Sequence, residues 1–183
     1  MQQLLKWTLE SIREEDSSFS WMEEYRYEWT PLVASAVSKI MEGQTVLIVT
    51  DDDNRWFSKY IMSKLNHKDR NRPFLPFSPL ETIFPNLKSL SSTQDLELLE
   101  DMLEIAYPNG YYMWYIGKAD HQYTKFVYRS DENFLWILDE EVQNSFKLRS
   151  SDPLLDIKLL QLFKLFNKTI EVALFGDIDL DET

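Results

Sequence analysis

A chain of 183 residues with no cysteine and a formal net charge of −12 has the size of one domain and cannot rest on disulfides, a thiol nucleophile or cysteine-ligated zinc. The most basic stretch, Lys68 to Arg72, also carries Asp69; without clustered Lys and Arg to displace counterions, direct DNA binding is not expected and a partner with a basic surface is favoured. No apolar run approaches the roughly 20 residues that cross a bilayer, and no basic segment leads into a long apolar one at the start, so a cytoplasmic protein without a signal peptide is expected.

Residues 4–15 read as a first helix, with Leu5, Leu9 and Ile12 on one face. Ser20 and Glu23 form a capping-box pattern that opens a second. Pro31 interrupts it, and Thr30 as N-cap with Pro31 as first helical residue starts a fresh or kinked continuation. Leu32, Val33, Ala36, Val37, Ile40 and Met41 keep the helical period, and Gly43 stops it. Thr45 to Thr50 is a strand without polar alternation, as befits burial on both faces. Asp51, Asp52, Asp53 and Asn54 make the turn into a helix whose apolar face is Trp56, Phe57, Tyr60, Ile61 and Leu65. Between Arg72 and Leu87 stand four prolines, Pro73, Pro76, Pro79 and Pro85, which predict a short strand at residues 74–77 and an irregular loop after it.

Ser92 caps a further helix to about Tyr107, with Leu96, Leu99, Leu103 and Ala106 inward. Strands follow at residues 111–116 and 134–138, a short helix lies between them at 120–129, and a long helix occupies 153–175, ended by Gly176. The alternation of strands and helices predicts an α/β fold of three layers, a parallel sheet flanked by helices. The domain spans residues 1–176, and residues 177–183 form an acidic tail.

In an open parallel sheet, ligands bind beyond the C-terminal ends of the strands. Here those ends carry Asp51-Asp52-Asp53, Gly117-Lys118-Ala119-Asp120 and Asp139-Glu140-Glu141. A phosphate site would use glycines, small hydroxyl residues and free N–H groups at a helix start. Carboxylates cancel most of that attraction, and neither a G-x-G-x-x-G nor a Walker A sequence is present. Asp51 to Asp53 are chemically able to hold Mg²⁺, but also able simply to cap and charge the following helix. His67 and His121 have no second ligand at metal spacing, and no serine stands in G-x-S-x-G. No cofactor, catalytic residue or metal ligand is therefore assigned.

The last helix is apolar on most sides. Leu155, Leu159, Leu162 and Phe166 share one side, Leu154, Ile157, Leu160 and Leu165 spread around the rest, and only Gln161, Lys164, Lys168 and Glu171 make a polar stripe. Such a helix is buried on most sides, either within its own chain or against another subunit. Self-association through Leu155, Leu159, Leu162 and Phe166 is the reading adopted.

This helix, LLDIKLLQLFKLF, resembles the C-terminal helix of the HobA family, which binds the bacterial replication initiator DnaA. RWFSKYIMSKLNHKD, YYMWYIGK and FLWILDEE resemble HobA as well, and the likeness runs over essentially the whole chain. It implies the sugar-isomerase (SIS) fold shared with DiaA, a Rossmann-like or flavodoxin-like sheet assembled as a homotetramer. It also implies an adaptor without enzymatic activity that binds the N-terminal domain of DnaA and promotes its assembly at the replication origin. SIS enzymes carry a Gly/Ser-rich phosphosugar loop where this sequence has Asp51 to Asn54. By analogy with a Leu-Phe pair in DiaA, the resemblance assigns Leu174 and Phe175 to DnaA binding, although as residues they serve equally as core or subunit contacts; Asp177, Asp179 and Asp181 nearby either complement a basic partner or form a solvated tail. The alternative is a sugar-phosphate-binding protein or isomerase of SIS type.

Overall fold

The computed structural model describes residues 1–130 and 132–178. Five strands form one parallel sheet: β1 Thr45–Thr50, β2 Phe77–Pro79, β3 Tyr111–Lys118, β4 Asn133–Leu138 and β5 Ser145–Leu148, in the order β2-β1-β3-β4-β5. The helices are α1 Gln2–Glu14, α2 Met22–Met41, α3 Arg55–Leu65, α4 Leu80–Ile83, α5 Thr93–Ala106, α6 Thr124–Val127 and α7 Leu155–Leu174. Strand side chains point alternately to two cores. Val46, Ile48, Trp114, Ile116, Phe134, Trp136 and Phe146 meet α2, α3 and α7, whereas Leu47, Val49, Met113, Tyr115, Leu135 and Ile137 meet α5 and α6. The expected three layers are present, and double burial is why the central strands lack polar alternation.

Aromatic rings fill the first core. Trp114 packs on Trp136 with centroids 5.0 Å apart and on Phe166 at 5.2 Å, and Trp29 adds a third indole 5.6 Å from Trp136. Such edge-on and tilted pairs add to the energy of burial alone.

Several local expectations need correction. Ser20 and Glu23 form no side-chain cap; Asp16 caps a single 3₁₀ turn at Ser17–Phe19 instead, accepting from the Ser18 N–H at 2.7 Å. Of the two readings at Pro31, the continuation holds and the fresh helix does not. The Thr30 hydroxyl donates to the Arg26 carbonyl at 2.7 Å rather than capping a new helix, and the helix runs on to Met41. The stop at Gly43 holds: it adopts φ +84°, with Gln44 N–H donating to Lys39 O and Gly43 N–H to Ile40 O, a closure that favours glycine. The strand expected at 74–77 starts at Phe77, because Pro73 and Pro76 supply no N–H for a ladder. The irregular loop after it contains α4, and the helix expected at 120–129 is the single turn α6. Ala106 is exposed, not inward, and β5 was not foreseen.

The chain end also differs from expectation. Ile178 is buried against Leu4 and Ala34, so packing continues two residues past the boundary at 176. Asp179, Asp181 and the rest of the expected tail lie outside the described residues.

Candidate functional site: the sheet mouth and the last helix

In this strand order, β1 and β3 diverge at the topological switch point, where an open α/β sheet offers its crevice. Asp51 at the end of β1 is buried there and tied three times. One carboxylate oxygen accepts from Asn54 N–H at 3.0 Å and Asn54 Nδ2 at 2.7 Å, and the other accepts from the Lys118 N–H at 3.0 Å. Burial pushes the Tyr115 hydroxyl far above its ordinary value, and this neutral hydroxyl donates to the Lys118 carbonyl at 2.7 Å. Gly117 passes between them. A Cβ there would lie 2.7 Å from the Asp51 carboxylate and 2.7 Å from the Tyr115 hydroxyl, so only glycine fits.

Two backbone N–H groups at this mouth, those of Asn54 and Lys118, are thus already occupied by the protein's own carboxylate. The sequence pointed to repulsion at this place; the geometry adds that these two donors are taken. The neighbouring acids are paired as well. Lys88 Nζ lies 2.8 Å from Asp52, Arg55 approaches Asp52 at 3.5 Å, and Lys118 approaches Asp53 at 3.9 Å. The Lys88 hydrogen bond holds the Asp52 carboxyl below the usual range. Asp139, at the end of β4, is held low by the Ser150 hydroxyl at 2.6 Å and the Ser150 N–H at 2.7 Å. Among the described residues no three His, Asp or Glu side chains gather as metal ligands, and no helix is long and apolar enough to cross a membrane.

The last helix has two different sides. Leu159, Leu162 and Phe166 are fully enclosed by the protomer, together with Phe163, Leu165 and Ile170. Side chains without accessible surface cannot offer a contact to another subunit, so the expected interface is corrected: these three belong to the chain's own core. Leu155 is half-buried and lines an open cleft of about 710 Å³ with Trp21, Tyr25, Lys147 and Arg149. Leu154 and Ile157 are the exposed apolar residues of this region. At the far end Leu174 is half-buried against the core, whereas Phe175 is 62% exposed. The structure therefore separates Leu174-Phe175 from the other four candidates rather than joining them into one site.

Sequence reading missed Arg72, whose side chain is 1% exposed. It donates to Leu65 O at 2.8 Å and Asn167 Oδ1 at 2.6 Å, and approaches Glu171 at 3.1 Å. This clamp ties the end of α3 to α7. The only hint in the sequence was polar Asn167 inside an apolar helix.

A family model described as HobA, DNA replication regulator, matches residues 1–180. The chain belongs to the HobA family. It is 31% identical over 186 residues to the DNA replication regulator protein HobA of Helicobacter pylori, across 98% of this chain and 100% of that protein. The crystal structure of HobA from Helicobacter pylori superposes on this HobA-family chain with a TM-score of 0.74 at 28% identity, over 98% of this chain and 99% of that one. A second structure, of a HobA-DnaA (domain I-II) complex from Helicobacter pylori, matches with a TM-score of 0.73 at 30% identity, again over 98% and 99%. A phosphoheptose isomerase from Francisella tularensis matches with a TM-score of 0.51 at 15% identity, over 79% of this chain and 85% of that one. That last likeness is one of fold alone.

Proposed function

We propose that this HobA-family chain is a non-enzymatic cytoplasmic adaptor that binds DnaA through the initiator's N-terminal region and promotes its assembly at the replication origin. The observation that carries the reading is the likeness over nearly the full length to a HobA captured with domains I-II of DnaA. The sheet mouth supports it from the other side, since Asp51 places a buried carboxylate there and takes two of the backbone donors a phosphorylated ligand would use. Action then falls to the outer surface.

The contact proposed for DnaA is Leu174-Phe175, with Phe175 open to a partner and Leu174 anchoring it to the core. Self-association into a tetramer is the accompanying proposal, and the apolar residues available to it are Leu154, Ile157 and half-buried Leu155 and Leu160. A tetramer would hold several DnaA molecules at high effective concentration without new contacts between them.

Isothermal titration with purified DnaA domains I–II tests the function. Binding is expected, and absence of heat together with absence of co-elution at high micromolar concentration overturns it. For the site, Phe175→Ala is expected to weaken binding about tenfold while the light-scattering mass stays that of the unsubstituted chain. Unchanged affinity discards the site.

A further inference from the structure

Helix α5 turns Leu99 and Leu103 into the second core and leaves its other side in solvent. On that outer side Leu98 is 60% and Ile105 83% exposed. They stand seven residues apart, which places them on one face roughly 10 Å from each other along the axis. Half-buried Met102 lies between them. Ile105 is the most exposed large apolar side chain among the described residues.

Glu97, Asp101 and Glu104 flank this stripe, all exposed, and none has an ion pair among the described residues. Glu100 is the exception, held by Arg129 at 2.6 Å, and α5 itself contains no Lys or Arg. The arrangement opposes the helix's own stability. Glu97 with Asp101 and Glu100 with Glu104 are like charges four residues apart, which repel on a helix surface. Glu104 also sits at the negative end of the helix dipole. Apart from the attraction of Glu97 to Arg129, these acids find no favourable charge among the described residues, and solubility does not require two apolar side chains beside them.

We propose that this face of α5 is a docking surface for a protein segment that presents apolar side chains within a rim of Lys and Arg. Resting on the DnaA-binding reading above, the segment is assigned to DnaA domains I–II. Charge decides against a second copy of this chain as occupant. Two α5 helices packed about a twofold axis would set Glu97, Asp101 and Glu104 against their own counterparts, in a chain that already carries −12. A basic partner meets the same acids favourably. Phe175 follows α7, which packs on the other side of the sheet from α5, so the two contacts are separate and substitutions in them add.

Two variants of the full chain test the proposal against purified DnaA domains I–II. Leu98→Ser/Ile105→Ser is expected to weaken binding about tenfold or more, with melting temperature and light-scattering mass unchanged. Glu97→Gln/Asp101→Asn/Glu104→Gln is expected to melt higher, because like-charge pairs are removed, while its association rate and its sensitivity to salt both fall. Stability and binding moving in opposite directions is a signature that a merely structural role would not produce. Wild-type affinity and association rate in both variants overturn the proposal. So does a reduced mass for the Leu98→Ser/Ile105→Ser variant, which would make this face a contact between copies. If the unsubstituted chain fails to bind, the DnaA reading falls and this one with it, and that control separates the two failures.

Discussion

Asp51, Gly117 and Tyr115 form a small unit in which each residue constrains the others. Because a Cβ at Gly117 would meet the Asp51 carboxylate and the Tyr115 hydroxyl at 2.7 Å, Gly117→Ala is expected to cost about 2 kcal/mol, the range of an overpacked interior, read as a lower urea midpoint. The carboxylates at the rim predict a pH dependence of defined sign. Asp52 and Asp139 are lowered from 3.8 in the folded chain by Lys88 and by Ser150 respectively. Their contribution is therefore fully present above that ordinary value and is lost as pH falls through the lower folded one. Urea unfolding between pH 7 and pH 2.5 should show stability level with respect to these groups down to about pH 4, then falling. Asp139→Asn should make the acid limb shallower; an unchanged limb would remove Asp139 from the account.

At the scale of elements, α2 and α7 tell opposite stories about legibility. The apolar run of α7 announced a buried helix, and burial followed; but periodicity alone does not say whose surface covers it, and the protomer itself covers Leu159, Leu162 and Phe166. In α2, Pro31 read as a break because proline lacks the N–H that the helix interior uses. The helix continues because the surrounding turns pack Trp29, Val33 and Val37 into the core, and packing outweighs a local penalty. Pro31 is exposed, so Pro31→Ala should restore a backbone bond without disturbing packing and raise stability by on the order of 1–3 kcal/mol, measured by thermal unfolding. The Arg72 clamp between α3 and α7 should behave in reverse. Arg72→Met leaves Asn167 and Leu65 O without their donor, at about 2–3 kcal/mol for bonds to a buried charge. Strand β5 escaped notice because only Phe146 and Leu148 of its four residues are buried, too short a pattern to separate from a loop.

Across the whole molecule, the crevice holds the chain's own carboxylate, and apolar side chains stand on the outside. The order β2-β1-β3-β4-β5 keeps the geometry of a ligand-binding sheet, while Asp51 occupies its mouth. The acids at this mouth could be read because they stand in sequence after β1; exposure at Leu98 and Ile105 could not, because it depends on how distant elements pack, and Phe175 was named only through the family resemblance. The two rims of the sheet bear on how such a surface is tolerated. Strand β2 spans three residues and contains Pro79, and β5 spans four and turns Lys147 to solvent. Short strands carrying a proline or a lysine make poor templates for another backbone. Side-chain contacts on the outer faces are thereby kept apart from main-chain pairing, because blunted rims of this kind disfavour polymerisation whatever those faces bind.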